Sequence, residues 1–211
     1  MDAGQSGTTR NLRRELTLFL VAAAALGIGG GIFETTFNNY LSDSFSMTAA
    51  ARGRLEFPRE LPGFLVAVVG GALFFMSVVR LGVLSCLGIG LGIAGLTVVG
   101  DSYTRMIVFM IIWSAGNHLM MPVNGTIALS LAPPEQRAAR MGQIGAVGTA
   151  GMIVGAVVVW TGLQYLDIGY NGTFLVAAFA AVVAGGLVAR LRPLPARSEI
   201  RPKFVWRRKY S

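Results

Sequence analysis

The sequence predicts an all-α membrane protein whose chain crosses the bilayer six times. Composition points there first: 54% of the residues are hydrophobic and 13% are charged, more apolar and less charged than a water-soluble domain. Segment length points there next. A hydrocarbon core of roughly 30 Å takes about 20 helical residues, and apolar stretches of that order fall at 16–40, 48–79, 81–100, 105–131, 141–163 and 171–190. Charge placement is the third observation. With the N-terminus in the cytoplasm, fourteen of the eighteen Lys and Arg residues lie on the inner side, leaving Arg52, Arg54, Arg59 and Arg105 outside, which is the bias that orients membrane helices. The expected organisation is a cytoplasmic tail over 1–15, a transmembrane domain over 16–190 and a basic cytoplasmic tail over 191–211. Both termini are then cytoplasmic and the protein is multi-pass in the plasma (inner) membrane.

The first apolar stretch follows a basic start, as in a leader peptide, but it is too long and has no convincing small-residue cleavage site, so it reads as a retained helix. At 100° per residue Gly27, Gly30, Gly31, Glu34 and Asn38 share an arc of about 100°. Ser42, Asp43 and Ser44 mark its end, and Thr48 is placed to cap the second helix.

The second helix carries the sequence's main ambiguity. Arg52, Glu56, Arg59, Glu60 and Gly63 share one face with Ala67 and Gly70, so charge runs directly into a small-residue stripe. A helix over 48–79 would be about 48 Å long, which lets its charged third stand in the outer headgroup region; the same residues could instead form the mouth of a cavity. Glu34 reaches a similar depth, and a Glu34–Arg59 ion pair is expected. Pro58 and Pro62 remove helix donors and bend this segment.

Arg80 with Gly82 reads as the next turn. The third and sixth helices, LGVLSCLGIGLGIAGLTVV and TFLVAAFAAVVAGGLVA, carry no charge and are expected on the outside of the bundle, facing lipid. In the fourth helix Met110, Trp113, Ser114, Asn117, Met121, Asn124 and Ala128 form a second polar and small stripe, with His118 at its edge. After Ala132-Pro133-Pro134 the fifth helix has Gln143 and then Gly145, Gly148, Gly151 and Gly155, a spacing that lets helices pack backbone to backbone. An unpaired charge at mid-membrane costs about 2.5 to 3.5 kcal/mol, so the polar stripes must face protein or water.

One His and one Cys, without a spaced acid cluster, offer neither a metal site nor an activated nucleophile; no enzyme activity, cofactor or nucleic-acid partner is expected. Cys86 has no partner for an internal disulfide. His118 reads as a packed or hydrogen-bonded histidine, with a proton role as the alternative.

The segment GIGGGIFETTFNNYLSD, the short basic connection VVRLGV and the run APPEQRAARMGQIGAVGTAGMIVG together resemble the N-terminal half of a major facilitator superfamily transporter, across essentially the whole chain. In the family's signature between helices two and three, only Gly71, Arg80 and Gly82 have counterparts here, and the fourth helix lacks the arginine of many proton antiporters. The resemblance implies two inverted three-helix repeats, and a secondary transporter or its N-terminal half moving a small organic solute by alternating access. It also implies a second six-helix half, or a second copy, as partner beside the membrane lipid. The substrate-binding or coupling residues expected are Glu34, as a proton or cation site, with Asn38, Asn117 and Asn124 as hydrogen-bonding groups, Trp113 as apolar wall with Met110 and Met121, and Arg59, Glu60 and His118. The rival is a truncated or non-transporting six-helix scaffold whose glycine stripes dimerise.

Overall fold

The computed structural model describes residues 3–72 and 76–192. Among them are six helices and no strand: α1 (Ala3–Phe45), α2 (Ala49–Ala72), α3 (Val78–Gly95, extended by a 3-10 turn Leu96–Val98), α4 (Tyr103–Ser130), α5 (Arg137–Tyr165) and α6 (Tyr170–Ala189). Five stretches are long and apolar enough to cross a bilayer: Leu12–Phe45, Val78–Val98, Tyr103–Ser130, Pro134–Leu163 and Tyr170–Ala189. The chain is therefore a multi-pass integral membrane protein. Six spans were expected, and α2 is the one missing from this set, because Glu56, Arg59 and Glu60 fall in its last 18 residues, Leu55–Ala72. The basic tail expected over 191–211 lies almost wholly outside the described residues, as do the side chains of Ala67 and Gly70.

Helix boundaries follow local chemistry. Thr48 Oγ1 accepts the Ala51 N–H at 3.3 Å, capping α2 as its position predicts. The boundary between the second and third helices differs from expectation. α2 ends at Ala72 within the described residues, and α3 starts at Val78 with Ser77 Oγ accepting the Arg80 N–H. Arg80 and Gly82 therefore lie inside α3 and not in a turn; a serine that satisfies an orphan helix donor outweighs a lone Arg or Gly as a start signal. α1 likewise runs through Ser42, Asp43 and Ser44 and breaks only at Ser46, whose φ of 48° is left-handed.

Side-chain partners fix the direction of every helix. Asp43 on α1 accepts the Tyr170 hydroxyl at the start of α6, and Glu15 near the other end accepts the Arg192 N–H just past α6, so α1 and α6 are antiparallel. Gly27 and Gly31 meet Gly148 and Met152 in register, so α1 and α5 are parallel. Gly88 and Gly92 meet Gly116 and Trp113, while Gly82 and Gly90 meet Val188 and Ala178; α3 thus opposes both α4 and α6. Arg59 and Gly63 lie against Ser114 and His118, making α2 parallel to α4. Directions alternate along the chain, and α1 starts on the side where α6 ends.

The third and sixth helices keep the exposed apolar side expected of them, with Leu91 on α3 and Phe179 on α6, but they also pack deep into the bundle. Half of α3's apolar window is buried and 44% of α6's, against 22% of α5's. Ala177, Ala181, Ala184 and Gly185 on α6, with Gly82, Gly90 and Gly92 on α3, let these two helices close on each other and on α1 and α4. Phe33 stacks against Phe37 at 4.8 Å and packs at a tilt against Trp113 at 4.3 Å between ring centroids, tying α1 to α4. Large apolar side chains left exposed, such as Leu91, Ile153 and Phe179, suit a surface that meets lipid.

Candidate functional site

α1 and α4 diverge beside α5 and leave a cavity of ≈ 440 Å³ between them. α1 contributes Phe19, Leu26, Gly27, Gly30 and Glu34; α4 contributes Trp113, Asn117, Met120, Met121 and Asn124; α5 contributes Ile144, Gly145, Gly148, Thr149 and Met152. From Phe19 to Glu34 the helix rises about 22 Å, so the cavity follows much of the bundle's length. Its width comes from glycine. A Cβ on Gly30 or Gly145 would meet nothing within 4 Å, whereas one on Gly31 would collide with the backbone of Met152. Adjacent glycines on α1 thus do different work: Gly31 closes the α1–α5 contact and Gly30 keeps the cavity open.

Glu34, Asn117 and Met121 on the cavity are exposed and Asn124 is half-buried, while Trp113 is 7% exposed and shows the cavity little more than an edge. Of the other expected site residues, Asn38 is exposed one turn beyond Glu34 and does not line the cavity; neither do Arg59, Glu60 and His118. Met110, expected in the wall, is fully buried.

Those last three form a separate chain of charge between α2 and α4. Arg59 Nε lies 2.8 Å from Glu56 Oε2, a charge contact without hydrogen-bond alignment, and 3.5 Å from Glu60 Oε1. Glu60 Oε2 is 3.3 Å from His118 Nε2. The expected Glu34–Arg59 ion pair is not formed: among the described residues Glu34 makes no direct ion pair, and Arg59 is held by acids on its own helix, one turn and one residue away. Arg59, Glu56 and Glu60 are the charges that act on Glu34 from α2.

The contacts of the second helix fix its charged stretch against α4. Ser114 donates its hydroxyl to the Arg59 carbonyl, in the stretch that Pro58 and Pro62 disrupt, and Ser114 and His118 stand about 17 and 22 Å along α4. α4 has 28 residues, or about 42 Å. Arg59 and Glu60 therefore abut the middle of a membrane-crossing helix, far from its ends. His118 fits there because Gly63 opposes it; a Cβ at Gly63 would lie 2.8 Å from the ring's Cε1.

Sequence reasoning missed Ile144, Thr149 and Met152, which flank the glycines of α5 on the cavity side, and the buried Glu15. A usable signal for the first three was their spacing of three to five residues around Gly148. No family model, curated protein or solved structure matches this chain.

Proposed function

We propose that the chain is one six-helix half of a secondary transporter of the major facilitator kind. It moves a small organic solute by alternating access through the cavity, coupled to proton movement, with a second six-helix half or a second copy closing the opposite side. The observation that carries this reading is that Glu34, Asn38 and Asn117 are exposed, with Asn124 half-buried, on two helices long and apolar enough to cross a bilayer. A charge facing hydrocarbon at mid-membrane costs about 2.5 to 3.5 kcal/mol. Covering protein and trapped water remove that cost, and a pathway between two halves supplies both.

The packing scheme supports the repeat arrangement. Exchanging α1, α2 and α3 for α4, α5 and α6 turns the parallel α1–α5 pair into the parallel α4–α2 pair and the antiparallel α1–α6 pair into α4–α3, and it leaves α3–α6 unchanged. α1 and α4 run in opposite directions, as inverted repeats require. Under this reading α2 is the sixth crossing, its charges tolerated because they meet α4 and one another. The distribution of basic residues supports a cytoplasmic location for both termini under this reading. Titratable groups at mid-membrane, Glu34, Glu60 and His118, are the means of proton coupling.

The scaffold reading fares worse on one observation: four of the glycines in its stripes, Gly27, Gly31, Gly151 and Gly155, are already taken up inside the chain, where they join α1 to α5. Uptake of labelled solutes into proteoliposomes under an imposed pH gradient, with Glu34→Gln alongside, tests the proposal. Solute movement that Glu34→Gln abolishes supports it; a folded, complete assembly that moves none of a broad solute set refutes it.

A further inference from the structure

Resting on the reading of the cavity as the transport path, we infer that its solute is a compact organic cation with an apolar body, an amine or quaternary ammonium, and that Glu34 is its counter-ion. Among the described residues lining the cavity, Glu34 carries the only formal charge. The chain as a whole is at +8, with 18 Lys and Arg residues, yet none of those among the described residues lines the cavity. Its charge therefore has the opposite sign to the molecule's.

Outside the lining, Arg59 acts on Glu34 from α2, accompanied by Glu56 and Glu60, which hold the guanidinium between them. Low-dielectric walls focus the field of Glu34 into the cavity.

The rest of the lining restricts the body of the solute. Phe19, Leu26, Met120, Met121, Ile144 and Met152 form an apolar wall, and methionine side chains reshape to follow varied surfaces. Asn117, Asn124 and Thr149 are the only uncharged polar side chains among the described lining residues, too few to replace the hydration of a sugar or other polyol. An organic anion would meet Glu34 and find no cationic side chain in exchange. Trp113 packs at a tilt on Phe33, 4.3 Å between ring centroids, and is 7% exposed, so it adds apolar wall and little ring face for a cation. A volume of ≈ 440 Å³ is in the range that holds drug-sized ligands.

The test is equilibrium binding of labelled tetraphenylphosphonium to the purified full-length chain, against tetraphenylborate, an anion of the same shape. Tetraphenylphosphonium should bind saturably and tetraphenylborate should not displace it. Glu34→Gln should weaken the cation about ten-fold or more with thermal unfolding unchanged, and Gly30→Leu, which fills the cavity, should abolish binding. Equal binding of the two ions by the unaltered chain, or full cation binding by Glu34→Gln, overturns the inference. Liposome uptake separates it from the reading on which it rests: solute movement indifferent to cations refutes the cation class and leaves the transporter, whereas Glu34-dependent cation binding without movement refutes transport and leaves the site.

Discussion

His118 Nε2 on α4 lies 3.3 Å from Glu60 Oε2 on α2, and it is the last link of a chain that begins at Glu56 and passes through Arg59. The chain stands against the middle of α4, where a bilayer offers no water to compensate a charge. Glu60 keeps 46% of its side chain exposed, so the contact contributes less than about 1 kcal/mol to stability. The contact joins α2 to α4 through two titratable side chains.

Glu60→Gln and His118→Asn should therefore leave the folded protein within about 1 kcal/mol of the unaltered chain yet change the pH profile of solute movement. The groups facing His118 from α2 are Glu60, Arg59 and Glu56, and Glu60→Gln removes the carboxylate that the His118 ring touches. Thermal unfolding and uptake measured across pH check both halves. Coincident pH profiles for the two variants and the unaltered chain would contradict it.

Neighbouring glycines should respond oppositely. Gly31→Ala drives a Cβ into the Met152 backbone and should destabilise by about 1 to 3 kcal/mol. Gly30→Ala meets open space and should be neutral or stabilising by about 0.5 to 1 kcal/mol, since alanine loses less chain entropy in a helix. Thermal unfolding in detergent distinguishes them, and equal losses would contradict the assigned α1–α5 register.

Glu15 should prove structural. It is buried, lies 3.0 Å from Arg14 and accepts the Arg192 N–H at 2.9 Å, holding the end of α6 beside α1. Glu15→Ala leaves that donor unsatisfied and should cost about 1 to 3 kcal/mol, with faster tryptic cleavage after Arg190. Glu15→Gln keeps an acceptor oxygen and should be milder. Similar cleavage in all three chains would refute the tie.

Much of this architecture was legible from hydropathy and polar periodicity, because a helix in lipid must close its own backbone hydrogen bonds and collect its polar groups on one side. That logic placed Glu34, Asn117 and Asn124 on one face each of α1 and α4, and the cavity lies between those faces. It failed where the medium gives no contrast. Lipid tails and an alanine-lined helix contact are equally apolar, so nothing in the composition of α3 and α6 revealed that they are among the most buried helices. It failed again at Arg59, where a wheel shows which residues share a face but not that Glu56, one turn back on the same helix, is nearer than Glu34 across a gap. The start of α3 was readable in principle from Ser77, and the apolar residues on both sides of it concealed the break.

The central claim is that the polar faces of α1 and α4 look into a shared space that water reaches, and cysteine labelling tests it most directly. Cys86 is fully buried and supplies a quiet background. Gly30→Cys and Asn117→Cys, on the cavity, should react in intact membranes with a water-soluble maleimide, while Phe179→Cys, on the exposed apolar face of α6, should not. Protection of both cavity positions to the level of Phe179→Cys would contradict the account.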